Sequence, residues 1–176
     1  FYNQFLDEFL DALKVTQYIV AGNSLGGSIA WNYALASPDK VRQLILLDAS
    51  GYPKKDEKGS LGFKLAAVPV LNQALKHISP KSLIRKSLED AFYNKSLVSE
   101  TMVDQYHNLL LRAGNRGAVL DLFQHPMKPD ATKIKNISQP TLIIWGKQDQ
   151  LISYQNASLF KQDIRKSSML VLDKVG

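Results

Sequence analysis

The chain contains no cysteine, so no disulfide and no thiolate-held metal can brace it, and its composition leaves the redox compartment open. It also lacks any apolar run near the roughly 18 residues of a membrane span. Its first residues, Phe1-Tyr2-Asn3-Gln4, have no basic stretch of the kind that opens a secretory leader. The expectation is a soluble chain, with the cytoplasm favoured and the compartment otherwise open. No Gly-x-Gly-x-x-Gly and no Gly-Lys-Ser/Thr occurs, which removes the common phosphate-cradling loops. Histidine is scarce, at His77, His107 and His125, and no metal-ligand cluster is visible. Neither metal nor organic cofactor is expected. Internal repeats and low-complexity tracts are also missing.

What is present is a chain of 176 residues with 45% hydrophobic content, enough to bury the core of one ordinary domain. The net charge of +6 raises the question of an anionic partner. The densest basic stretches are Lys54-Lys55 with Lys58, then Lys76 to Lys86 with Arg85. No nucleic-acid-binding motif accompanies them, so they read as a solvated basic face and no nucleic-acid partner is expected.

Phe1, Phe5, Leu6, Phe9, Leu10 and Leu13 recur at three- and four-residue spacing and predict an amphipathic helix. A strand over Tyr18 to Ala21 follows, then a helix to about Ser37, which Pro38 ends. Val41 to Leu47 reads as a strand buried along its length, because near-continuous apolar content is what a parallel sheet covered on both faces demands. The pattern returns with a strand over Pro140 to Trp145, a helix over Tyr154 to Arg165 and a strand over Ser168 to Leu172. Between these halves, helical periodicity predicts helices over Leu61 to Ile78, Lys81 to Tyr93, Ser99 to Arg112 and Ala118 to Phe123. Alternating strands and helices predict an α/β core with a parallel sheet. The core comprises residues 1–51 and 138–176, and residues 52–137 form an inserted all-helical cap over the strands' C-terminal edge, where such sheets bind ligands.

Gly22-Asn23-Ser24-Leu25-Gly26, followed by Gly27, joins the first strand to the second helix. The bare Gly-x-Ser-x-Gly pattern would arise by accident in roughly one chain in twenty of this length, so its placement carries the weight. A serine at a sharp strand-to-helix turn is held in strained backbone with its hydroxyl projecting above the sheet. The residues two before and two after it must then be small because neighbouring backbone crowds them, a requirement that Gly22 and Gly26 fit. Ser24 is therefore the candidate nucleophile. A Gly-rich turn with a capping serine, or a phosphate loop, is the other reading.

The sequence resembles the α/β-hydrolase superfamily over essentially its whole length. The resemblance rests on Gly22 to Gly27, on Leu47-Asp48-Ala49-Ser50-Gly51, and on Leu142-Ile143-Ile144-Trp145-Gly146 followed by Lys147-Gln148-Asp149. It implies a serine hydrolase with a Ser-His-Asp triad, in which the aspartate three residues after the late glycine, Asp149, is the acid. Asp48 competes for that role, since some members take their acid from the preceding strand. The backbone N–H of Leu25 is implied as one oxyanion-hole donor. In relatives the catalytic histidine follows the last strand, commonly just after a glycine such as Gly176. His77, His107 and His125 all precede Asp149 and read as helix-surface or helix-end residues.

The resemblance thus implies an internal portion of a longer polypeptide of about 260 to 300 residues, lacking the first strands, the second oxyanion amide and the histidine. The isolated chain is expected to be inactive, and to aggregate through the unpaired strand containing Ile19 unless a missing segment or a second chain completes the sheet. Phe63, Leu71, Phe92, Tyr93, Leu110 and Phe123 offer apolar surface in the cap; packing among the cap helices accounts for most of them, and a pocket for a small or medium apolar ester gives the favoured small-molecule substrate class. The elbow and cap also resemble those of carbon–carbon bond hydrolases acting on ring-cleavage products. Serine at the elbow argues against dehalogenases and epoxide hydrolases, whose nucleophile is a carboxylate. A non-catalytic binding module of the same fold, or an inactive fragment, remains an alternative.

Overall fold

The structure, a computed structural model, describes residues 1–53 and 78–176, with Phe123 described by its backbone alone. The helix expected over Leu61 to Ile78, the side chains of Phe63 and Leu71, His77 and the lysines from Lys54 to Lys76 therefore lie outside the described residues.

Helix α1 spans Tyr2–Ala12. It ends where Lys14 takes φ 57° and the N–H of Val15 reaches back to the carbonyl of Leu10, the left-handed termination that satisfies otherwise orphaned carbonyls. Strand β1 (Tyr18–Asn23), helix α2 (Leu25–Ala36) and strand β2 (Val41–Leu47) follow. Then come α3 (Lys81–Ala91), α4 (Glu100–Leu110) and α5 (Asn115–Gln124), with a 3-10 turn at Lys95–Leu97 between the first two. A second 3-10 helix at Ala131–Asn136 leads to β3 (Thr141–Gly146), α6 (Gln155–Asp163) and β4 (Ser167–Leu172). The α/β alternation expected from the sequence is the one observed. Helix α5 begins three residues before the predicted Ala118, because Gly114 at φ 83° turns the chain into it. The two 3-10 segments were not anticipated, since their spacing is too short to set up a periodic apolar face.

The four strands form one parallel sheet in the order β1-β2-β3-β4. Parallel alignment brings the C-terminal ends Asn23, Leu47, Gly146 and Leu172 to one edge. Strand β2 departs from its expected burial: Val41, Leu44 and Leu46 are buried, but Arg42 and Gln43 are exposed. A register shift opposite Tyr18 and Ile19 leaves Arg42 without a partner in β1, and such a bulge rotates side chains out of the pleat. The described strands and helices thus make the α/β architecture of a parallel sheet flanked by helices.

The chain divides into two compact units. The first comprises Phe1–Asp56, Pro129–Gln148 and Ile152–Asp173. Its core is built on Trp31, Tyr33, Leu44, Leu46, Ile143, Trp145, Phe160 and Ile164, all fully buried. Phe160 takes the place of a side chain at Gly51, whose Cβ would lie 2.4 Å from its ring. Helix α1 is tied to α2 by a polar cluster. The Tyr33 hydroxyl donates to Asp7 (2.7 Å), and Lys40 Nζ reaches both Asp7 (3.0 Å) and Asp11 (3.2 Å).

The second unit comprises Glu57–Lys128, Asp149–Leu151 and Lys174–Gly176. Its described part packs Leu88, Val98 and Val103 into a small core, with Ile84, Phe92 and Met102 against it. Ser99 caps α4 by accepting the N–H of Met102 at 3.1 Å, a contact typical of serine at this position. The cations of α3 all meet carboxylates. Lys81 pairs with Asp104 (2.6 Å), Arg85 with Glu100, and Lys86 with Asp90 (2.5 Å). Among the described residues no helix is long and apolar enough to cross a membrane.

Candidate active site

Ser24 stands between the last residue of β1 and the first of α2, at φ 53° and ψ −119°. This backbone region is strained for a residue with a Cβ, and strain of that kind persists only where the surroundings over-determine it. The surroundings here do so. The N–H of Ser24 donates to the Leu47 carbonyl at 3.1 Å, and the Ser24 carbonyl accepts from Ser28 (3.2 Å) and Ser50 (2.9 Å). Asn23 Nδ2 donates to the same Leu47 carbonyl at 3.1 Å. The fully buried Trp31 then closes the frame by donating from Nε1 to the Ser50 carbonyl at 3.0 Å.

The glycines around Ser24 differ in what they permit. A Cβ at Gly22 would fall 2.1 Å from the carbonyl oxygen of Gly26, and one at Gly27 would fall 2.4 Å from the Cβ of Ala49. Among the described residues, a Cβ at Gly26 would meet nothing within 4 Å. The sequence expectation that Gly26 must be small through crowding is therefore corrected: Gly27 is the crowded residue on that side, because α2 passes directly against the segment leaving β2. The doubled glycine was the available signal, but nothing in the sequence said which member touched its neighbour.

Leu25 is the first residue of α2. N–H groups in a helix's first turn have no acceptor within the helix, and the helix dipole favours negative charge there. The arrangement can therefore offer a donor to an oxyanion formed at Ser24.

Asp48 follows β2 at φ 42°, a conformation that aspartate tolerates better than most residues. Its Oδ1 accepts the N–H of Gly146 at 2.8 Å. Burial pushes its carboxyl above the usual carboxylate range, and the Gly146 N–H pulls it the other way. Asp149, half-buried, follows β3 by three residues, and its Oδ1 accepts the N–H of Leu151 at 2.7 Å. Asp149 falls in the second unit and Ser24 in the first. Of the histidines, His107 Nε2 lies 3.0 Å from the Ser79 carbonyl, and His125 is exposed at the end of α5.

Among the described residues no group of three or more His, Asp or Glu side chains could hold a metal ion. A cavity of about 420 Å³ lined by Pro38, Lys133, Asn136 and Gln139 lies at the other edge of the sheet, where β2 and β3 begin. The chemistry gathers instead at the C-terminal edge.

A parallel sheet carrying a serine in strained backbone at a sharp strand-to-helix turn defines the class as an α/β fold with its chemistry-bearing turn at the C-terminal end of a strand. The sequence matches the family described as alpha/beta hydrolase fold over residues 1–176, and the chain belongs to that family. It is 26% identical over 170 residues to the uncharacterized hydrolase YugF of Bacillus subtilis (strain 168), covering 95% of this chain and 61% of that protein. It is 25% identical over 174 residues to 2-hydroxymuconate semialdehyde hydrolase of Pseudomonas putida, covering 95% and 58%. With Lipase 3 of Moraxella sp. (strain TA144) it shares 26% identity over 160 residues, covering 89% and 49%. A meta-cleavage product hydrolase from Pseudomonas fluorescens IP01 superposes with a TM-score of 0.79 at 22% identity, over 96% of this chain and 60% of that one, a likeness of fold. The chain spans half to about three fifths of the length of these relatives.

Proposed function

We propose that this chain forms part of a serine hydrolase that cleaves a small or medium apolar ester, with Ser24 as nucleophile. The observation that carries the reading is the backbone of Ser24, at φ 53° on a turn held by four hydrogen bonds to and from its neighbours. A capping serine would need no such strain, and a phosphate loop would need glycines arranged differently.

In this reading Ser24 Oγ attacks the acyl carbonyl as its proton passes to a histidine, and Asp149 holds that imidazole in the required tautomer and orientation. The Leu25 N–H donates one hydrogen bond to the oxyanion of the tetrahedral intermediate. Collapse releases the alcohol, which takes the proton back from the imidazolium. Water, activated by the same histidine, then frees the acid and restores Ser24. In this reading the histidine is none of His77, His107 and His125, all of which precede Asp149 in the chain. The reading takes α3, α4 and α5 as the described helices of a cap. Asp149, three residues after Gly146 in the loop leaving β3, is taken as the acid in preference to Asp48 on its place in the chain, since a backbone N–H engages one carboxylate oxygen of each.

The second reading is a carbon–carbon bond hydrolase, favoured by the relative named for 2-hydroxymuconate semialdehyde. A binding module of the same fold without turnover is the third.

A fluorophosphonate probe applied to the full-length protein, read by intact mass and peptide mapping, tests the assignment. A single adduct on Ser24, lost in Ser24→Ala with the melting temperature unchanged, is the expected result. A protein that takes no label, or takes it elsewhere, removes Ser24 from the mechanism. Turnover of p-nitrophenyl butyrate against 2-hydroxymuconate semialdehyde separates the first two readings.

A further inference from the structure

Strand β3 leaves the sheet through a clamp. In the β2–β3 ladder the last paired residues are Leu47 and Ile144. Beyond them Asp48 turns away at φ 42°, its own N–H donating to the Ile144 carbonyl at 3.0 Å. The next inward-facing donor on β3, the N–H of Gly146, finds no strand carbonyl on that side; it donates instead to Asp48 Oδ1 at 2.8 Å. On the other side Gly146 is in register with Leu172 of β4, and the N–H of Lys147 donates to the Leu172 carbonyl at 3.0 Å. The chain is thereby fixed from both neighbouring strands at Gly146 and Lys147, two residues before Asp149. Asp149 then closes its own turn through the N–H of Leu151.

We infer that Asp48 is a positioning residue: its carboxylate replaces the missing ladder carbonyl and sets the path on which β3 delivers Asp149. The inference rests on the proposed role of Asp149, although the clamp can be tested apart from it. The carboxylate is held half-buried at a cost, and its visible return is one charge-assisted hydrogen bond to an N–H that lies beyond the last pair of the β2–β3 ladder. Asp48 Oδ1 engages the Gly146 N–H, so in this role it acts through the backbone of residues 146–149. A displacement of about 1 Å at the far end of such a path is enough to cost about 100-fold in rate.

Three variants of the full-length protein separate the hydrogen bond from the backbone conformation. Asp48→Asn keeps an acceptor oxygen and tolerates the left-handed region, Asp48→Gly keeps the conformation but removes the acceptor, and Asp48→Ala removes both. The first readout is amide hydrogen exchange. In Asp48→Gly, exchange at Gly146 and through the 147–149 turn should rise about tenfold or more relative to the rest of β3, and Asp48→Asn should restore protection. Unchanged exchange in Asp48→Gly overturns the clamp whether or not the protein hydrolyses esters.

The second readout is turnover of p-nitrophenyl butyrate, with Ser24→Ala as the blank. Asp48→Gly should lower kcat about tenfold or more with KM little changed, and Asp48→Asn should recover most of it. If Asp48→Asn is as damaging as Asp48→Gly while protection at Gly146 is retained, Asp48 is itself the acid and the positioning role is wrong. A wild-type protein without Ser24-dependent turnover removes the hydrolase reading and leaves the exchange result to decide the clamp.

Discussion

A Cβ on Gly22 would lie 2.1 Å from the carbonyl oxygen of Gly26, a distance that backbone on both sides prevents from relaxing. Gly22→Ala should therefore cost about 3 kcal/mol or prevent folding. Gly26→Ala adds, within α2, a methyl that meets none of the described residues within 4 Å and should gain about 0.5 kcal/mol from helix propensity. Urea unfolding of the two variants measures the contrast, and similar losses in both would refute the packing described at the elbow. Asp149→Asn retains an oxygen for the Leu151 N–H, so its stability should match wild type while kcat falls by about a thousandfold or more through loss of imidazole orientation. Steady-state kinetics on the full-length protein decides this, and an unimpaired variant would move the acid elsewhere.

At the scale of elements, α1 is held by polar contacts more than by its apolar face, since Phe5, Phe9 and Leu13 are exposed. The centre of the tether is the fully buried Tyr33, which burial, Tyr18 and Asp7 hold well above the ordinary phenol range. Tyr33→Phe removes the hydroxyl that bonds Asp7 and Tyr18, while Asp7 keeps Lys40, and should cost about 1–2 kcal/mol, with faster amide exchange along α1. Asp7 is held below the ordinary carboxylate range, first by the Tyr33 hydroxyl and then by Lys40. Because its folded pKa is depressed, the stabilisation is fully present above the unfolded value of 3.8 and is lost as pH falls below it, through the folded pKa. The stability difference between wild type and Asp7→Asn should accordingly be flat through neutral pH and shrink below that value. A difference that shrinks instead between pH 5 and 8 would contradict it.

Across the whole molecule, the described sheet has β1 and β4 as its outer strands. Ile19 on β1, Phe5 and Phe9 on α1, and Met169, Leu170 and Leu172 on β4 are exposed. Unpaired strand edges beside apolar side chains promote association. A polypeptide of residues 1–176 prepared alone should self-associate with rising concentration in sedimentation velocity. Phe5→Lys with Phe9→Lys should shift it toward monomer at a stability cost within about 0.5 kcal/mol. A monomer at all concentrations would show that these edges are not sticky.

Local order was enough for much of this protein. The strand runs at Tyr18, Val41 and Thr141, the helix stop at Pro38 and the glycine-flanked serine turn follow from steric and periodic rules that act over a few residues, so the α/β alternation and the place of Ser24 could be read directly. Tertiary structure decided what depends on distant partners. Which glycine of the Gly26-Gly27 pair is crowded depends on Ala49, the bracing of the elbow depends on Ser50 and Trp31, and the engagement of Asp48 depends on Gly146, 98 positions away. An isolated aspartate after a strand looks the same in sequence whether it orients an imidazole or closes a sheet edge. Only the parallel register, which sets Leu47 beside Ile144 and leaves the Gly146 N–H without a strand acceptor, distinguishes the two.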